Sequence, residues 1–316
     1  MRRRVGGVLS RAYTGHPRCT PSLDVVGGAT SWQLSTAESM RKIAHSPGTR
    51  RPCETTAIFS ARAIYDEIRN NDESYALFLS VSASGETQGG WENGRIAALT
   101  EDPVLSAKIA LHGKDESKHG RLFSALLRKR SLAAVPVPED ANYTMLLERA
   151  GIGLSHARLR QDHPLSNEEI ICYLVHSRVT EQRAAEEVTL QHKLFGDDPE
   201  LGKAIGMIAE DEENHLAYCH EELMRFCAAG YAEYIRAMLR DYALVEIRVY
   251  RQVSLSIMTH MAERIGWSRA KTQLLRFGIH SIYLFERLWG WRRMTILRTP
   301  ERRNAMDPTP RRPNAA

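Results

Sequence analysis

The sequence predicts an all-α protein, a four-helix bundle with two additional C-terminal helices. Three observations indicate this fold class. An eighteen-residue segment occurs twice, as residues 102–119 and 198–215, and both copies end in Asp-Glu-x-x-His. Around both copies, apolar residues recur at intervals of three and four, which is the spacing of an amphipathic helix. Side chains that cap helices stand at the expected starts, such as Asp102 and the pair Ser166 and Glu169.

The predicted helices form two hairpins joined by one long, proline-containing crossover at 131–165. In chain order we expect a lead-in helix over 55–70, two bundle helices over 72–100 and 103–130, and a short crossover helix over 143–150. Two further bundle helices should cover 166–195 and, beginning at the turn 196–199, the residues up to about 228. The C-terminal helices should cover 231–265 and 268–294. Residues 54–297 are therefore expected to form one domain. Its core bundle is 72–228 and its C-terminal helices occupy 231–294.

The two ends of the chain differ from its middle in composition. Residues 1–53 carry a net charge of +7 and residues 298–316 carry +3, so the overall +5 leaves −5 for the residues between them. Neither end has apolar periodicity, and we predict a disordered N-terminal extension and a disordered tail. The Arg-rich start resembles a transit peptide, but a disordered extension, or translation from Met40, is the favoured interpretation. The acidic middle gives no reason to expect a nucleic-acid partner.

The sequence also argues against a membrane-spanning or disulfide-stabilised protein. No uncharged apolar run approaches 18 residues, and the N-terminus lacks the apolar stretch of a signal peptide. The five cysteines are scattered along the chain and form no Cys-x-x-Cys pair. They are Cys19, Cys53, Cys172, Cys219 and Cys227. Such a set is typical of free thiols in a reducing compartment, and we expect a cytoplasmic protein.

The repeated segment carries the candidate chemistry. Seven of its eighteen positions are identical at a constant offset of 96 residues. Residues three apart lie on one face of a helix, so Glu116 projects together with His119, and Glu212 with His215. A carboxylate and an imidazole on one face are half of a site for iron, manganese or zinc. Each half needs one more glutamate from the preceding helix to complete a carboxylate-bridged dinuclear site.

Spacing from the hairpin turns selects these two glutamates. Glu116 lies 14 residues after the turn at Asp102, Glu86 lies 16 before it, and Glu92 lies only 10 before it. At ~1.5 Å per residue, Glu92 would sit about 6 Å too close to the turn. In the second hairpin the same argument favours Glu181 over Glu186 and Glu187. The motif Leu-x-x-Ser-x-x-x-Glu, which ends at both Glu86 and Glu181, extends the repeat to these positions.

On these residues, the chain resembles the ferritin-like di-iron carboxylate superfamily, which includes rubrerythrins, acyl-carrier-protein desaturases, the ribonucleotide reductase small subunit and arylamine N-oxygenases. The resemblance covers about residues 73–227. It implies two iron ions, with Mn/Fe and Mn/Mn pairs as alternatives and zinc ranked third. It also implies that Asp115 and Asp211, which precede the ligand glutamates, accept hydrogen bonds from the non-coordinating nitrogens of the ligand histidines. The lack of Cys-x-x-Cys pairs removes the rubredoxin-type centre of many rubrerythrins.

The resemblance further implies dioxygen or peroxide chemistry, for which several outcomes compete. We favour an oxygenase or oxidase that hydroxylates, desaturates or N-oxygenates a small-molecule or carrier-bound organic substrate, with electrons from an external donor. Small residues near Glu86, including Gly85, Gly89 and Gly90, could leave room for that substrate. The alternatives are a ferroxidase or peroxide reductase, a radical-generating subunit, and a non-catalytic metal-binding scaffold. The sequence is also compatible with a homodimer.

His112 breaks the symmetry of the repeat. It lies four residues before Glu116 on the inward stripe, where the second copy has Ile208. A buried histidine needs a polar partner, and the metal is one candidate. Arylamine N-oxygenases resemble this in having an additional histidine four residues before a ligand glutamate, although in the other half of their bundle. A histidine bonded to a neighbouring side chain, to the backbone or to water is the other interpretation.

Overall fold

The computed structural model describes residues 60–199 and 201–297, and the regular elements within these ranges are all helices. The all-α prediction is confirmed for this part of the chain. The predicted N-terminal extension at 1–53, the first residues of the lead-in helix and the tail at 298–316 lie outside the described residues. Within the described ranges, no helix has the length and apolar character needed to cross a membrane.

The helix bounds follow the predicted order closely. The α-helices are α1 (Ala61–Arg69), α2 (Asp72–Leu99), α3 (Pro103–Lys129), α4 (Tyr143–Arg149), α5 (His156–Leu159), α6 (Asn167–Phe195), α7 (Gly202–Phe226), α8 (Ala232–Ile265) and α9 (Arg269–Leu288). Short 3-10 helices occupy Glu139–Ala141 and Gly290–Thr295. The helix predicted over 268–294 is therefore two elements, because α9 ends at Leu288.

The first hairpin packs α2 closely against α3. The side chain of Asp102 accepts hydrogen bonds from the backbone N–H groups of Val104 and Leu105, so the predicted cap of α3 is confirmed. A Cβ atom added at Gly90 would lie 3.1 Å from the carbonyl oxygen of Gly113, a distance that requires neighbouring atoms to move. Glycine at this contact therefore allows the two helix backbones to approach.

The second hairpin consists of α6 and α7. Ser166 and Glu169 form the predicted capping box, with each side chain accepting from the other residue's backbone N–H. The side chain of Asp198 accepts from the N–H of Leu201, and α7 begins at the next residue, Gly202. This start lies slightly later than predicted.

Two apolar clusters leave a polar band between them in helices α2, α3, α6 and α7. One cluster lies towards the α2–α3 turn and includes Ile96, Leu105, Ile109, Leu174, Val179, Cys219 and Leu223. The other lies towards the opposite end and includes Tyr75, Leu79, Phe123, Phe195, Ile205 and Ile208. On each helix the candidate ligands fall between residues of the two clusters. The apolar clusters thus hold the candidate ligands at one depth between them.

Helix α8 covers the second hairpin. It follows α7 at Gly230, whose φ of 102° is readily adopted only by glycine. Ile235, Leu239 and Ala243 of α8 belong to the same buried cluster as residues of α6. Arg183 on α6 pairs with Glu246 on α8 and with Glu286 on α9, at 2.9 and 2.8 Å. A buried ionic network therefore joins the C-terminal helices to α6.

Helix α9 lies against α8, and of its residues only Glu286 is fully buried. The outward face of α9 is apolar and exposed, with Leu274, Phe277, Leu284, Phe285 and Leu288 on it.

Candidate metal centre

Helices α2, α3, α6 and α7 bring carboxylate and imidazole groups together in two clusters of candidate ligand atoms. One cluster contains His112, Glu116, Glu181 and His215, and the other contains Glu86, Glu116 and His119. Within each cluster, one ligand atom from every residue lies within 4.8 Å of the others. Glu116 belongs to both clusters. A carboxylate shared in this way can bridge two metal ions.

Glu212 lies between the two clusters. Its Oε2 is 3.6 Å from Nδ1 of His215, and its Oε1 is 3.8 Å from Nδ1 of His119. All six side chains that the repeat and the spacing selected therefore come together at one level of the helices. His112 joins them.

The glutamates that the spacing argument set aside have other partners. Glu92 lies 2.6 Å from Nε2 of His156, and Glu187 accepts a hydrogen bond from the hydroxyl of Tyr250 at 2.5 Å. Glu186 pairs with Arg293 at 2.7 Å. Distance from the hairpin turn therefore separated the glutamates of the cluster from their neighbours on the same helices.

Several polar atoms at the centre are buried without a hydrogen-bond partner. They are Nε2 of His112, both ring nitrogens of His215 and Oε2 of Glu212. Leaving a buried polar group unpaired costs about 1–3 kcal/mol, so four such atoms in one place need an explanation. Metal ions coordinated by Nε2 of His112, Nδ1 of His215 and Oε2 of Glu212 would satisfy three of them, and the fourth, Nε2 of His215, faces Asp115. The residues present therefore fit a metal centre with nitrogen and oxygen ligands.

Electrostatics supports the same conclusion. Burial raises the pKa of Glu86 and of Glu212 well above the ordinary range, and neighbouring carboxylates raise both further. Burial opposes a charge on His215, but Glu181 and Glu212 outweigh it and raise the pKa of His215 to about 11. Without metal, the cluster must therefore hold protons that compensate its crowded carboxylates. Two divalent cations would supply four positive charges to the four carboxylates instead.

Asp115 and Asp211 lie on the side of the histidines that faces away from the glutamates, and each lies near the histidine of the other hairpin. Oδ2 of Asp211 is 2.9 Å from Nε2 of His119, which belongs to the other hairpin. Asp115 is 3.6 Å from Nε2 of His215, a longer contact than a hydrogen bond. Lys118 lies within ion-pair distance of both aspartates, at 3.1 and 2.6 Å. With Nε2–H donated to Asp211, His119 presents Nδ1 to Glu86, 3.2 Å away.

We expect Asp211→Asn to weaken metal binding by roughly 10–100-fold, the usual cost of losing a carboxylate that orients a ligand histidine. Asp115→Asn is the matched control, because it also loses a contact with Lys118 but breaks no hydrogen bond to a histidine. Its effect should be several-fold smaller. Equilibrium dialysis against Fe(II) without oxygen measures both affinities. Equal losses in the two variants would contradict this assignment.

Sequence reasoning missed the hydrogen-bonded residues on the Nδ1 side of His112. Nδ1 of His112 lies 2.7 Å from the hydroxyl of Tyr218, which is 2.6 Å from the hydroxyl of Tyr173. Tyr173 donates to Oδ1 of Asn93 at 2.8 Å. Tyr218 follows His215 by three residues and so shares its face, but nothing in the sequence indicates that it meets His112 of the other hairpin.

A cavity of about 350 Å³ reaches the carboxylates. Glu86, Glu116, Glu181 and Glu212 line one part of it. Leu147 of α4, with Tyr250 and Val253 of α8, lines another part, and apolar side chains such as Val81, Phe123, Val188 and Ile205 supply further wall. The candidate metal centre thus borders an interior space large enough for a small organic molecule.

Comparisons with protein-family models, with curated proteins and with solved structures find no match to this chain. A function must therefore be argued from the residues of the site and their arrangement.

Proposed function

We propose that the chain is a ferritin-like four-helix-bundle enzyme with a dinuclear carboxylate centre that oxidises an organic substrate with dioxygen. One ion would be held by Glu86, Glu116 and His119, and the other by Glu116, Glu181 and His215. Glu212, which lies next to both, would be the sixth ligand. When bound, two iron ions supply the electrons and the Lewis acidity needed to reduce dioxygen. Iron fits a set of carboxylates and imidazoles best, with manganese as the alternative at either position.

The cavity is the observation that favours an organic substrate. A ferroxidase needs only a path for iron, whereas this chain has a cavity of about 350 Å³ beside the carboxylates. Contributions from α4 and α8 to the wall support this choice, because a bare four-helix bundle would lack them. The polar wall residues, Thr180 and Ser177 among them, would orient the substrate, and the apolar ones would exclude water from it.

Gly89 supports a role for this space. A Cβ atom at position 89 would lie 3.1 Å from Oε2 of Glu116, so a larger residue would press on the shared carboxylate. Glycine leaves the carboxylate free to move and keeps the cavity open beside it.

The test is the reaction of the Fe(II)-loaded protein with oxygen in the presence of a panel of neutral, largely apolar compounds. We expect products that have gained one oxygen atom or lost two hydrogens, detected by mass spectrometry. Repeated oxidation of added Fe(II) with mineral deposition and no organic product would favour a ferroxidase instead. A reduced protein that does not react with oxygen would favour a metal-binding scaffold.

Filling the cavity should separate substrate oxidation from oxygen reduction. Ala184 lines the cavity on α6, and Ala184→Phe would occupy the space beside the centre without removing a candidate ligand. We expect product formation to fall about 10-fold or more, while a single cycle of oxygen consumption by the reduced protein changes less than about threefold. Ala107→Phe, at an exposed position on α3, is the control and should leave both rates unchanged. Parallel losses of both activities in Ala184→Phe would contradict a substrate role for the cavity.

A further inference from the structure

His112 is held by a chain of buried hydrogen bonds that leads away from the carboxylates. The chain runs from Nδ1 of His112 to Tyr218, then to Tyr173 and then to Asn93, with successive distances of 2.7, 2.6 and 2.8 Å. All four side chains are buried. This series of hydrogen bonds ends at Asn93, because its last contact is to the amide oxygen of that residue.

The direction of these hydrogen bonds fixes the proton on His112. A tyrosine hydroxyl has one proton, and an amide oxygen can only accept. Tyr173 gives its proton to Asn93, so it accepts the proton of Tyr218. Tyr218 in turn must accept from His112. The imidazole of His112 therefore carries a proton on Nδ1, where it donates to Tyr218.

The other ring nitrogen, Nε2, is then free to coordinate. It is 3.3 Å from Oε1 of Glu116 and 3.3 Å from Oε1 of Glu181, and it has no hydrogen-bond partner. A neutral imidazole in this tautomer points a lone pair at two carboxylate oxygens, an arrangement that is repulsive unless a metal ion lies among them or a proton occupies Nε2 in the metal-free protein. The ring of His112 also stacks on that of His215, with centroids 3.8 Å apart, so both imidazoles reach the same place.

We propose that His112 is a seventh protein ligand of the metal centre, and that the Tyr218–Tyr173–Asn93 chain positions it by holding its proton on Nδ1. This inference rests on the proposed metal centre. It assigns two imidazoles, His112 and His215, to the ion beside Glu181, and a single imidazole, His119, to the ion beside Glu86.

Unequal ligand sets imply unequal affinities. Imidazole nitrogen suits iron, cobalt and zinc, whereas carboxylate oxygen also suits manganese, so the position with two histidines should bind Co(II) or Fe(II) more tightly. The second copy of the repeat has Ile208 where the first has His112, so the sequence itself carries this asymmetry. We expect the two ions to bind in order, with the His112 position filled first.

The test is titration of the metal-free protein with Co(II), whose visible absorption reports its ligands. The wild type should bind two ions, the first more tightly than the second. Tyr218→Phe removes the acceptor for Nδ1–H, and we expect it to weaken the tighter ion roughly 10-fold and to shift its absorption. His112→Ile, which copies the second half of the repeat, should weaken that ion about 100-fold or more. The other ion should keep its affinity in both variants.

The Tyr173→Phe variant distinguishes an effect transmitted through the hydrogen bonds from an effect of side-chain packing next to His112. Tyr173 does not contact His112, but without its hydroxyl Tyr218 can turn its proton towards Nδ1 and reverse the tautomer. The variant should therefore change the same ion in the same direction as Tyr218→Phe. Tyr242→Phe is the control, because the hydroxyl of Tyr242 contacts Cys172 outside this chain. Circular dichroism checks that each variant stays helical.

The outcomes separate this inference from the proposed function. A wild type that binds no Co(II) would remove the metal centre, and both proposals with it. A wild type that binds two ions, together with Tyr218→Phe and His112→Ile variants of unchanged affinity and absorption, would overturn only the role of His112. Weakening of both ions equally in Tyr218→Phe would also overturn it, because the chain leads to one ion.

Discussion

Glu116→Gln should lose at least one of the two metal ions and, with it, the reaction with dioxygen. Glu116 is the only residue common to both clusters of candidate ligand atoms among the described residues. Its replacement by a neutral amide removes a negative charge from both positions while nearly keeping the side chain's shape. Loss of a residue that only hydrogen-bonds to a metal ligand costs about 10–100-fold in metal affinity. Because Glu116 would itself be a ligand, we expect its replacement to lower metal affinity by more than about 100-fold. Metal content after dialysis and the rate of oxygen consumption measure it.

Glu92→Gln is the matched control for this prediction. Glu92 is also a cavity-lining glutamate of the first hairpin, but its partner is His156. A glutamine there keeps an acceptor for that partner, so the variant should retain two ions and normal oxygen consumption. If Glu92→Gln lost metal and Glu116→Gln kept it, the spacing argument that placed the centre would be wrong.

Arg183→Met should be among the most destabilising single changes in the chain. The guanidinium donates to both oxygens of Glu246 and both oxygens of Glu286, and it stacks on Tyr250 with 4.1 Å to the ring centroid. Removing it leaves two buried carboxylates without their main partner. Breaking a buried pair in this way typically costs about 3–5 kcal/mol. Urea unfolding of the metal-free protein measures the loss and excludes an indirect effect through metal binding.

The pH dependence and a combined variant test the cause of that loss. Burial already raises the pKa of Glu246 with Arg183 in place, and without the arginine we expect it to rise further. A carboxyl whose pKa is raised on folding costs stability only when it is ionised, so the loss should shrink as the pH falls towards about 4.5. Adding Glu246→Gln and Glu286→Gln to Arg183→Met should recover part of the loss at neutral pH.

An exposed pair provides the comparison. Arg149 and Glu139 lie 3.7 Å apart and are largely exposed, so Arg149→Ala should cost at most about 1 kcal/mol. Similar losses for Arg149→Ala and Arg183→Met, or a loss in Arg183→Met that does not depend on pH, would contradict the account of a buried ionic network.

The helices, and the approach of six side chains to one another at one level, could be predicted from the sequence because both depend on local rules. The periodicity of apolar residues and the caps at Asp102 and Ser166 act within a few residues of the chain. The depth of Glu86 and Glu181 follows from counting residues back from a hairpin turn. Repetition of the segment then made each half of the prediction a check on the other.

Features that depend on how the two hairpins meet could not be predicted. The pairing of Asp211 with His119, and the contact of Tyr218 with His112, both join side chains from different hairpins. Periodicity fixes which residues share a face of one helix, but it does not fix the register between helices that are distant in the chain. For the same reason the sequence did not reveal that α4 and α8 contribute to the cavity wall, or that the apolar face of α9 points outward.

Anomalous diffraction at the iron edge, from a crystal of the protein loaded with Fe(II), tests the central claim most directly. We expect two peaks between the hairpins, both beside Glu116. One should lie beside Glu86 and His119, and the other should lie beside Glu181 and His215, with Nε2 of His112 in contact. No peak at these side chains, in a crystal that contains iron elsewhere, would contradict the account.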